Sequence, residues 1–193
     1  MSRAQLKKYL QGLGEAELRE VILDLYDARK EAKEYLEFFI DPDVKDTVEK
    51  YRKLLTRQYF NSKGRPLKRF PLSEGNRLVK NAVTLGIPPE EACDIMVYNL
   101  EDAISWLVMR RSMGHTAWTA LINTFRRAAD YAFAYGLTEI MKERFDRLMK
   151  YSRHAPGHLR VEERLAQEYE EASIHNGKDH EDGLEDSNNP ENG

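Results

Sequence analysis

Apolar residues recur every three or four positions along most of the chain, and the strict alternation typical of β-strands is nearly absent. This spacing predicts amphipathic α-helices. Ser2 and Gln5 have the spacing of a capping box, so a short first helix is expected, ending near Gly12. A second, long helix is predicted from Glu15 to Phe39, because one wide apolar stripe runs through that whole segment.

The same spacing predicts further helices after a break at Asp41 and Pro42. They are expected at 44–59, 73–86, 89–114, 116–136 and 138–149, with a weaker, heavily charged helix at 159–173. The predicted fold class is therefore all-α, with about seven helices in an irregular bundle or in short stacked helical pairs. Neighbouring helices are expected to be antiparallel, since most of the connections are short.

Two segments lack helical spacing and indicate how the chain is organised. Residues 61–71 contain Gly64, Pro66 and Pro71, and a connection this long is uncommon inside a compact domain. They are either a boundary between an N-terminal part, 1–60, and a C-terminal part, 72–175, or a functional basic loop within one domain. Residues 176–193 carry six acidic residues against one lysine, and we expect this acidic tail to be disordered.

The predicted second helix has apolar residues on more than one side. Tyr26, Phe38 and Ile40 lie off its main stripe. Two interpretations fit this width: a central helix that other helices cover on several sides, or a helix that docks a partner or a second copy of the chain.

Positive charge is concentrated in one segment of the chain. The chain of 193 residues has a net charge of −3, yet Lys50 to Ser73, which we call the basic stretch, contains eight positive residues and no acidic one. Basic side chains neutralise phosphates and aromatic rings stack on bases, so the stretch is a candidate polyanion-binding surface. The candidate cations are Arg52, Lys53, Arg57, Lys63, Arg65, Lys68 and Arg69, and the candidate stacking residues are Tyr51, Tyr59, Phe60 and Phe70.

The alternative interpretation of the basic stretch is a solvated surface whose aromatic residues belong to the core. Tyr51 and Tyr59 lie on the apolar stripe of their helix, which favours this alternative. No helix-turn-helix, zinc-finger or RNA-binding signature accompanies the cations. The sequence therefore leaves both interpretations open.

Residues with catalytic or ligand-binding chemistry are few. His154 and His158 have the spacing of two metal ligands on one helix, but Pro156 between them would break that helix. Cys93 lies on the apolar stripe of its helix and is predicted to be buried and unreactive. We therefore predict no catalytic residues, no cofactor and no metal site.

The composition is that of a soluble protein. The N-terminus lacks the apolar core of a signal peptide, and no run approaches the roughly 18 apolar residues that a membrane span needs. A single cysteine rules out an internal disulfide and fits a reducing compartment. We expect a cytoplasmic protein with no membrane partner.

The run LKKYLQGLGEAELREVILDLYDARKEAKEYLEFFIDPDV, from Leu6 to Val44, resembles a family of uncharacterised bacterial proteins that share a domain of unknown function. The short first helix, the LYDARKEAKEYLEFF segment and the Asp-Pro break carry the resemblance, and the general layout is similar to about residue 150. The resemblance implies a small, helical, bacterial protein. It implies no activity and supplies no functional residues, and the acidic tail lies outside it.

Three classes of function remain. We favour a non-enzymatic helical module that binds a protein partner or itself, because no catalytic signature is visible. The alternative is a nucleic-acid-associated protein that uses the basic stretch, and the third class is an enzyme whose site is assembled from scattered residues. A large exposed apolar patch would support the first class, a continuous positive face around residues 57–69 the second, and a pocket of groups with shifted pKa values the third.

Overall fold

A computed structural model of the protein describes the backbone of residues 1–185 and the side chains of residues 1–176. Most of the described residues are helical and none lies in a β-strand, which confirms the all-α prediction, with nine α-helices rather than about seven in the described part of the chain. The helices are α1 (Arg3–Leu10), α2 (Glu15–Ala28), α3 (Lys30–Ile40), α4 (Val44–Tyr59), α5 (Leu72–Leu85), α6 (Pro89–Arg110), α7 (His115–Ala134), α8 (Thr138–Ser152) and α9 (Val161–Glu185).

The chain divides into two compact units. The N-terminal unit, Met1–Asp43, contains α1 to α3, and the C-terminal unit begins at Val44. The division therefore falls at the break that Asp41 and Pro42 indicate, and residues 61–71 lie inside the C-terminal unit.

The long helix expected in the N-terminal unit is instead two helices, α2 and α3, which meet at Arg29. The Arg29 backbone is extended, with φ −136° and ψ 116°. The bend lets the Tyr26 hydroxyl donate to the Glu37 carboxylate at 2.9 Å, whereas a straight helix would separate the two residues by about 16 Å along its axis. The residues around the bend are good helix formers, so helix propensity does not predict it.

The most apolar helix, α6, lies at the centre of the C-terminal unit. It packs against α4, α5, α7 and α8, while α9 packs against α7 and α8. Pro89 is its first residue, where proline is tolerated because that N–H has no helical partner. The fully buried apolar side chains of this core include Leu55, Leu100, Leu107, Phe125, Phe145 and Leu165.

The last helix is longer than the sequence indicates. The spacing predicts an end near Ser173, whereas α9 runs from Val161 to Glu185. It is anchored by Glu168, which is only 1% exposed and whose carboxylate lies between Arg126 at 2.7 Å and Arg164 at 2.5 Å. Once a helix is nucleated, each further residue adds a hydrogen bond at little cost. Part of the expected disordered tail is thus in α9, and its remainder, 186–193, lies outside the described residues.

The connection between α4 and α5 is an ordered turn. The Asn61 side chain accepts hydrogen bonds from the main-chain N–H groups of Lys63 at 2.9 Å and Arg65 at 3.1 Å. The Trp106 indole N–H donates to the carbonyl oxygen of Leu67 at 2.9 Å, which ties the turn to α6. The turn therefore holds its cations on a defined backbone.

Candidate functional site

The structure separates the seven candidate cations of the basic stretch into one that is paired and six that are exposed. Arg52 on α4 is half-buried, and its guanidinium group pairs with Asp94 on α6 at 2.7 Å and with Glu49 at 3.2 Å. The contact with Asp94 holds α4 against α6, so Arg52 has a structural part in the fold. The six exposed cations form no ion pair within the described part of the chain; they are Lys53, Arg57, Lys63, Arg65, Lys68 and Arg69.

The aromatic residues of the basic stretch are not free to stack on bases. Tyr51 is 6% exposed and Tyr59 is wholly buried, which confirms that both belong to the core. Phe60 and Phe70 pack against the same core, and the Phe70 ring lies 4.9 Å from that of Trp106. Polyanion binding at this surface would therefore depend on charge alone.

A cluster of charged residues that the sequence analysis missed links α4, α6 and α8. The Asp94 carboxylate accepts hydrogen bonds from Arg52 and also from Arg144 on α8. Arg144 pairs further with Glu101 at 2.8 Å. Four charges thus neutralise one another across three helices. Asp94 lies 42 positions from Arg52, and Glu101 lies 43 positions from Arg144, so no local pattern in the sequence indicates these ion pairs.

Asp102, one residue further along α6, has an altered acidity. Its carboxylate accepts a hydrogen bond from the Thr56 hydroxyl at 2.9 Å, and the Thr56 oxygen lies 3.0 Å from the Tyr98 phenol oxygen. Burial raises the pKa of Asp102 to about 6, which the Thr56 hydrogen bond partly offsets and the charge of Glu101 reinforces. This carboxyl group therefore titrates closer to neutrality than an exposed aspartate does.

A chain of polar side chains crosses the interior between α4, α5, α6 and α7. The Tyr59 hydroxyl donates to Asn99 Oδ1 at 2.8 Å, and Asn99 Nδ2 donates to Asn76 Oδ1 at 3.0 Å. Asn76 Nδ2 then donates to the Thr124 hydroxyl oxygen at 2.9 Å, and Thr124 donates to the carbonyl oxygen of Ala120 at 2.8 Å. Each member donates to the next, so the orientation of both amide groups is determined.

The polar chain ends at an open groove of about 630 Å³ between α5, α6 and α7. The apolar part of its lining comes from Val79, Val83, Met96 and Ala128, and the polar part from Asn76, Asn99 and Thr124. Three cations also line the groove: Arg77 and Lys80 on α5, and Arg127 on α7. All three are exposed, and none forms an ion pair with any residue that the structure describes.

Cys93 is buried in α6, as the sequence predicts. Burial raises the pKa of its thiol to about 12, although the nearby Arg144 opposes the shift. At neutral pH the thiolate is therefore a negligible fraction, and the thiol is a poor nucleophile. Among the described residues, no group of three or more histidine, cysteine, aspartate or glutamate side chains is arranged to hold a metal ion.

The N-terminal unit, taken by itself, exposes many large apolar side chains. None of the residues in α1, α2 and α3 is buried. Phe39 is 74% exposed and Ile40 is 79% exposed, and the rings of Tyr35 and Phe39 stack with centroids 6.3 Å apart. Within their own unit, therefore, neither α2 nor α3 is covered on several sides. The apolar hairpin surface, as we call it, comprises Val21, Ile22, Leu23, Leu25, Tyr35, Phe39 and Ile40.

The chain matches the model of a known protein family. The model of a family described as a family of unknown function (DUF6155) matches residues 1–157. No curated protein matches the chain, and no solved structure matches it. None of the described helices has the length and apolarity of a membrane span.

Proposed function

Because the chain belongs to this family of unknown function, we propose from its own geometry that it is a non-enzymatic helical interaction module that pairs with a second copy of itself. The observation that carries the proposal is the apolar hairpin surface of α2 and α3. Its exposed side chains lie on two consecutive helices that are joined by the bend at Arg29.

Covering the apolar hairpin surface would be energetically favourable. Burying one leucine, isoleucine or phenylalanine side chain is worth roughly 1.5–3 kcal/mol. Ile22, Leu25, Phe39 and Ile40 are each at least half exposed, so most of that free energy is not gained within the N-terminal unit. Large apolar side chains that are exposed close together mark interaction surfaces, and the rings of Tyr35 and Phe39 are in contact on the exposed side of α3.

A second copy is the occupant that fits the surface best. Every copy carries the same pair of amphipathic helices, and a two-fold interface places identical surfaces against each other. Two hairpins supply four helices, which is enough to enclose a core in the manner of a four-helix bundle.

The charges of the N-terminal unit permit this pairing. Residues 1–43 contain 7 basic and 10 acidic residues, so the net charge of each copy is only −3. Several of these charges are already paired along their own helix, including Glu15 with Arg19 at 2.5 Å and Lys33 with Glu37 at 3.9 Å. Exposed charges act over only about 8 Å at physiological salt, so repulsion between two copies is weak.

The test is the oligomeric state of the full chain. Sedimentation velocity over a broad range of concentration should show a monomer–dimer equilibrium. Ile22→Glu combined with Phe39→Glu should shift it to monomer, because two charges would be buried at the interface. Ile140→Glu is the matched control, since Ile140 is an exposed isoleucine, 57% accessible, on α8 of the other unit.

Two outcomes would overturn self-association. One is a chain that remains monomeric at every concentration. The apolar hairpin surface would then be assigned to the binding of a different protein. The other is a dimer that the Ile22 and Phe39 changes leave intact while Ile140→Glu disrupts it. Circular dichroism of each variant separates a lost interface from a lost fold.

Nucleic-acid binding is the second candidate function, and a separate observation favours it. Six cations of the basic stretch are exposed and form no ion pair in the described structure. Residues 44–175 carry 22 basic and 17 acidic residues, a net charge of +5. Binding would be electrostatic and independent of base sequence. If about 4 cations contact phosphates, the logarithm of affinity should fall with the logarithm of salt with a slope of about −3 to −4.

Four substitutions test this second candidate. Changing Lys63, Arg65, Lys68 and Arg69 together to alanine should remove most of the salt dependence if the stretch binds nucleic acid. The matched control changes four exposed cations of the C-terminal unit by the same charge, namely Arg111, Lys142, Arg147 and Lys150. The interaction-module proposal instead expects no measurable binding of a random oligonucleotide near physiological salt.

A cytoplasmic location in a bacterial cell is part of the proposal. It is supported by Cys93, which is the only cysteine of the chain and is buried, so no internal disulfide requires an oxidising compartment. Fractionation of cells that express the full chain checks the location, and recovery in a secreted fraction would contradict it.

A further inference from the structure

We propose that the groove between α5, α6 and α7 binds a small amphipathic carboxylate, such as a medium-chain fatty acid. The groove lies in the C-terminal unit and is independent of the apolar hairpin surface. Its volume, about 630 Å³, is within the range of sites for drug-sized ligands, which are mostly apolar with a few oriented polar groups.

The apolar part of the groove suits a hydrocarbon chain. Val79 and Val83 are one turn apart on α5, while Met96 on α6 and Ala128 on α7 lie across from that helix in the lining. Val83 is 37% exposed, so a hydrocarbon chain that covers it would remove apolar surface from water. Methionine adapts to irregular ligand shapes because its side chain is unbranched and flexible.

The cations of the groove favour a ligand with a negative charge. Arg77 and Lys80 are supplied by α5, and Arg127 by α7, so positive charge approaches the groove from two of its walls. No acidic side chain lines the groove. A carboxylate would gain hydrogen bonds assisted by charge from these residues, whereas an amine would be repelled.

The polar chain supplies the remaining recognition. Asn76 Nδ2 has two N–H groups and uses one of them for the Thr124 hydroxyl oxygen, which leaves the second as a donor at the groove. Asn99 accepts from the buried Tyr59 hydroxyl, and this bond sets the direction in which both amides point. The donor is therefore oriented before any ligand arrives, which lowers the entropic cost of binding.

Titration calorimetry of the full chain with decanoate tests the proposal, with decanol and decylamine as probes of the same chain length. Decanoate should bind most tightly and decylamine not measurably. Shortening decanoate to octanoate should weaken binding about fourfold for each methylene group lost from the groove. Equal binding of decylamine, or no binding of decanoate, would overturn the proposal.

Two substitutions locate the site. Lys80→Gln combined with Arg127→Gln should weaken decanoate binding by about tenfold or more while leaving decanol binding unchanged. Lys142→Gln combined with Lys150→Gln removes the same charge from α8, outside the groove, and should change neither. If the α8 variant weakens binding as much as the groove variant, the carboxylate responds only to net charge, and the assignment to the groove is wrong.

Discussion

Tyr59 and Asn99 hold each other in the interior of the C-terminal unit: the Tyr59 hydroxyl donates to Asn99 Oδ1 at 2.8 Å, and both residues are wholly buried. The pair leaves no room for a side chain at Gly75 on α5. A Cβ atom there would clash with Asn99 Oδ1 and would lie 2.8 Å from the Tyr59 hydroxyl oxygen. Gly75 is thus required for the close approach of α5 to α6.

Replacing Gly75 with alanine should therefore destabilise the protein by roughly 2–5 kcal/mol, because the methyl group would overpack the interior and break a buried hydrogen bond. In an ordinary helix the same change is stabilising by up to about 1 kcal/mol. Denaturant unfolding measures the effect, and Asn81→Ala at an exposed position of α5 is the control. In an Asn99→Ala background the cost of Gly75→Ala should fall sharply; an unchanged cost would show that the clash is elsewhere.

Asp102 should lower the stability of the protein as the pH rises, which is the opposite of the usual effect of an aspartate. Its pKa is raised to about 6, so the folded state favours the protonated carboxyl group. The stabilisation is fully present below about pH 4 and is lost as the pH rises through 6. Asp102→Asn stays neutral and can still accept the Thr56 hydrogen bond, so it should gain stability over the wild type as the pH rises from 4 to 7.

The gain from Asp102→Asn at pH 7 is expected to be roughly 1–2 kcal/mol, less than the full pKa shift implies, because water still screens the carboxylate. Unfolding curves of both proteins at several pH values provide the measurement. Asp24→Asn, at an exposed aspartate of α2, is the control for the amide substitution itself. A variant less stable than wild type at pH 7 would mean that the ionised carboxylate is stabilising.

The thiol of Cys93 should resist modification in the native state, since it is inaccessible and its pKa is raised to about 12. A disulfide reagent at neutral pH should react only as fast as the protein opens, and the rate should rise with added denaturant. Ser112→Cys places a thiol at an exposed position between α6 and α7 and should react at once. Rapid reaction of the wild type without unfolding would revive the hypothesis of an enzyme.

Removing the residues after Asn176 should leave the melting temperature nearly unchanged. The buried contacts of α9 that the structure describes all come earlier, at Val161, Leu165, Glu168 and Ala172. Truncation after Arg160 removes those contacts and should abolish cooperative unfolding or lower the melting temperature strongly. A drop of more than a few degrees in the shorter truncation would show that the C-terminal residues contribute to folding stability.

Local patterns were enough to predict much of the helical architecture. The break at Asp41 and Pro42, the end of α5 at Gly86 with its left-handed φ of 89°, and the start of α6 at Pro89 follow from properties of single residues. The burial of Cys93 follows from its place on an apolar stripe. These features depend only on neighbouring residues, so helical spacing and residue type are enough to predict them.

The candidate sites needed information that local spacing lacks. Arg52 pairs with Glu49 one turn earlier in its own helix, but its contact with Asp94, 42 positions away, cannot be read from the local sequence. The bend at Arg29 occurs among good helix formers and is accompanied by the contact of Tyr26 with Glu37. The groove is lined by residues of three helices, which lie up to 55 positions apart in the sequence, from Ser73 to Ala128.

The sequence by itself therefore determined the fold class, most helix ends and the charge of the basic stretch, because helix formation, capping and net charge are local properties. Only the tertiary structure decided which polar residues are buried together, which cations are exposed and which apolar faces are covered. Those outcomes depend on contacts between distant segments, whose free energies local spacing does not contain. The exposed hairpin of α2 and α3 and the groove beside Asn76 became visible only once those contacts were known.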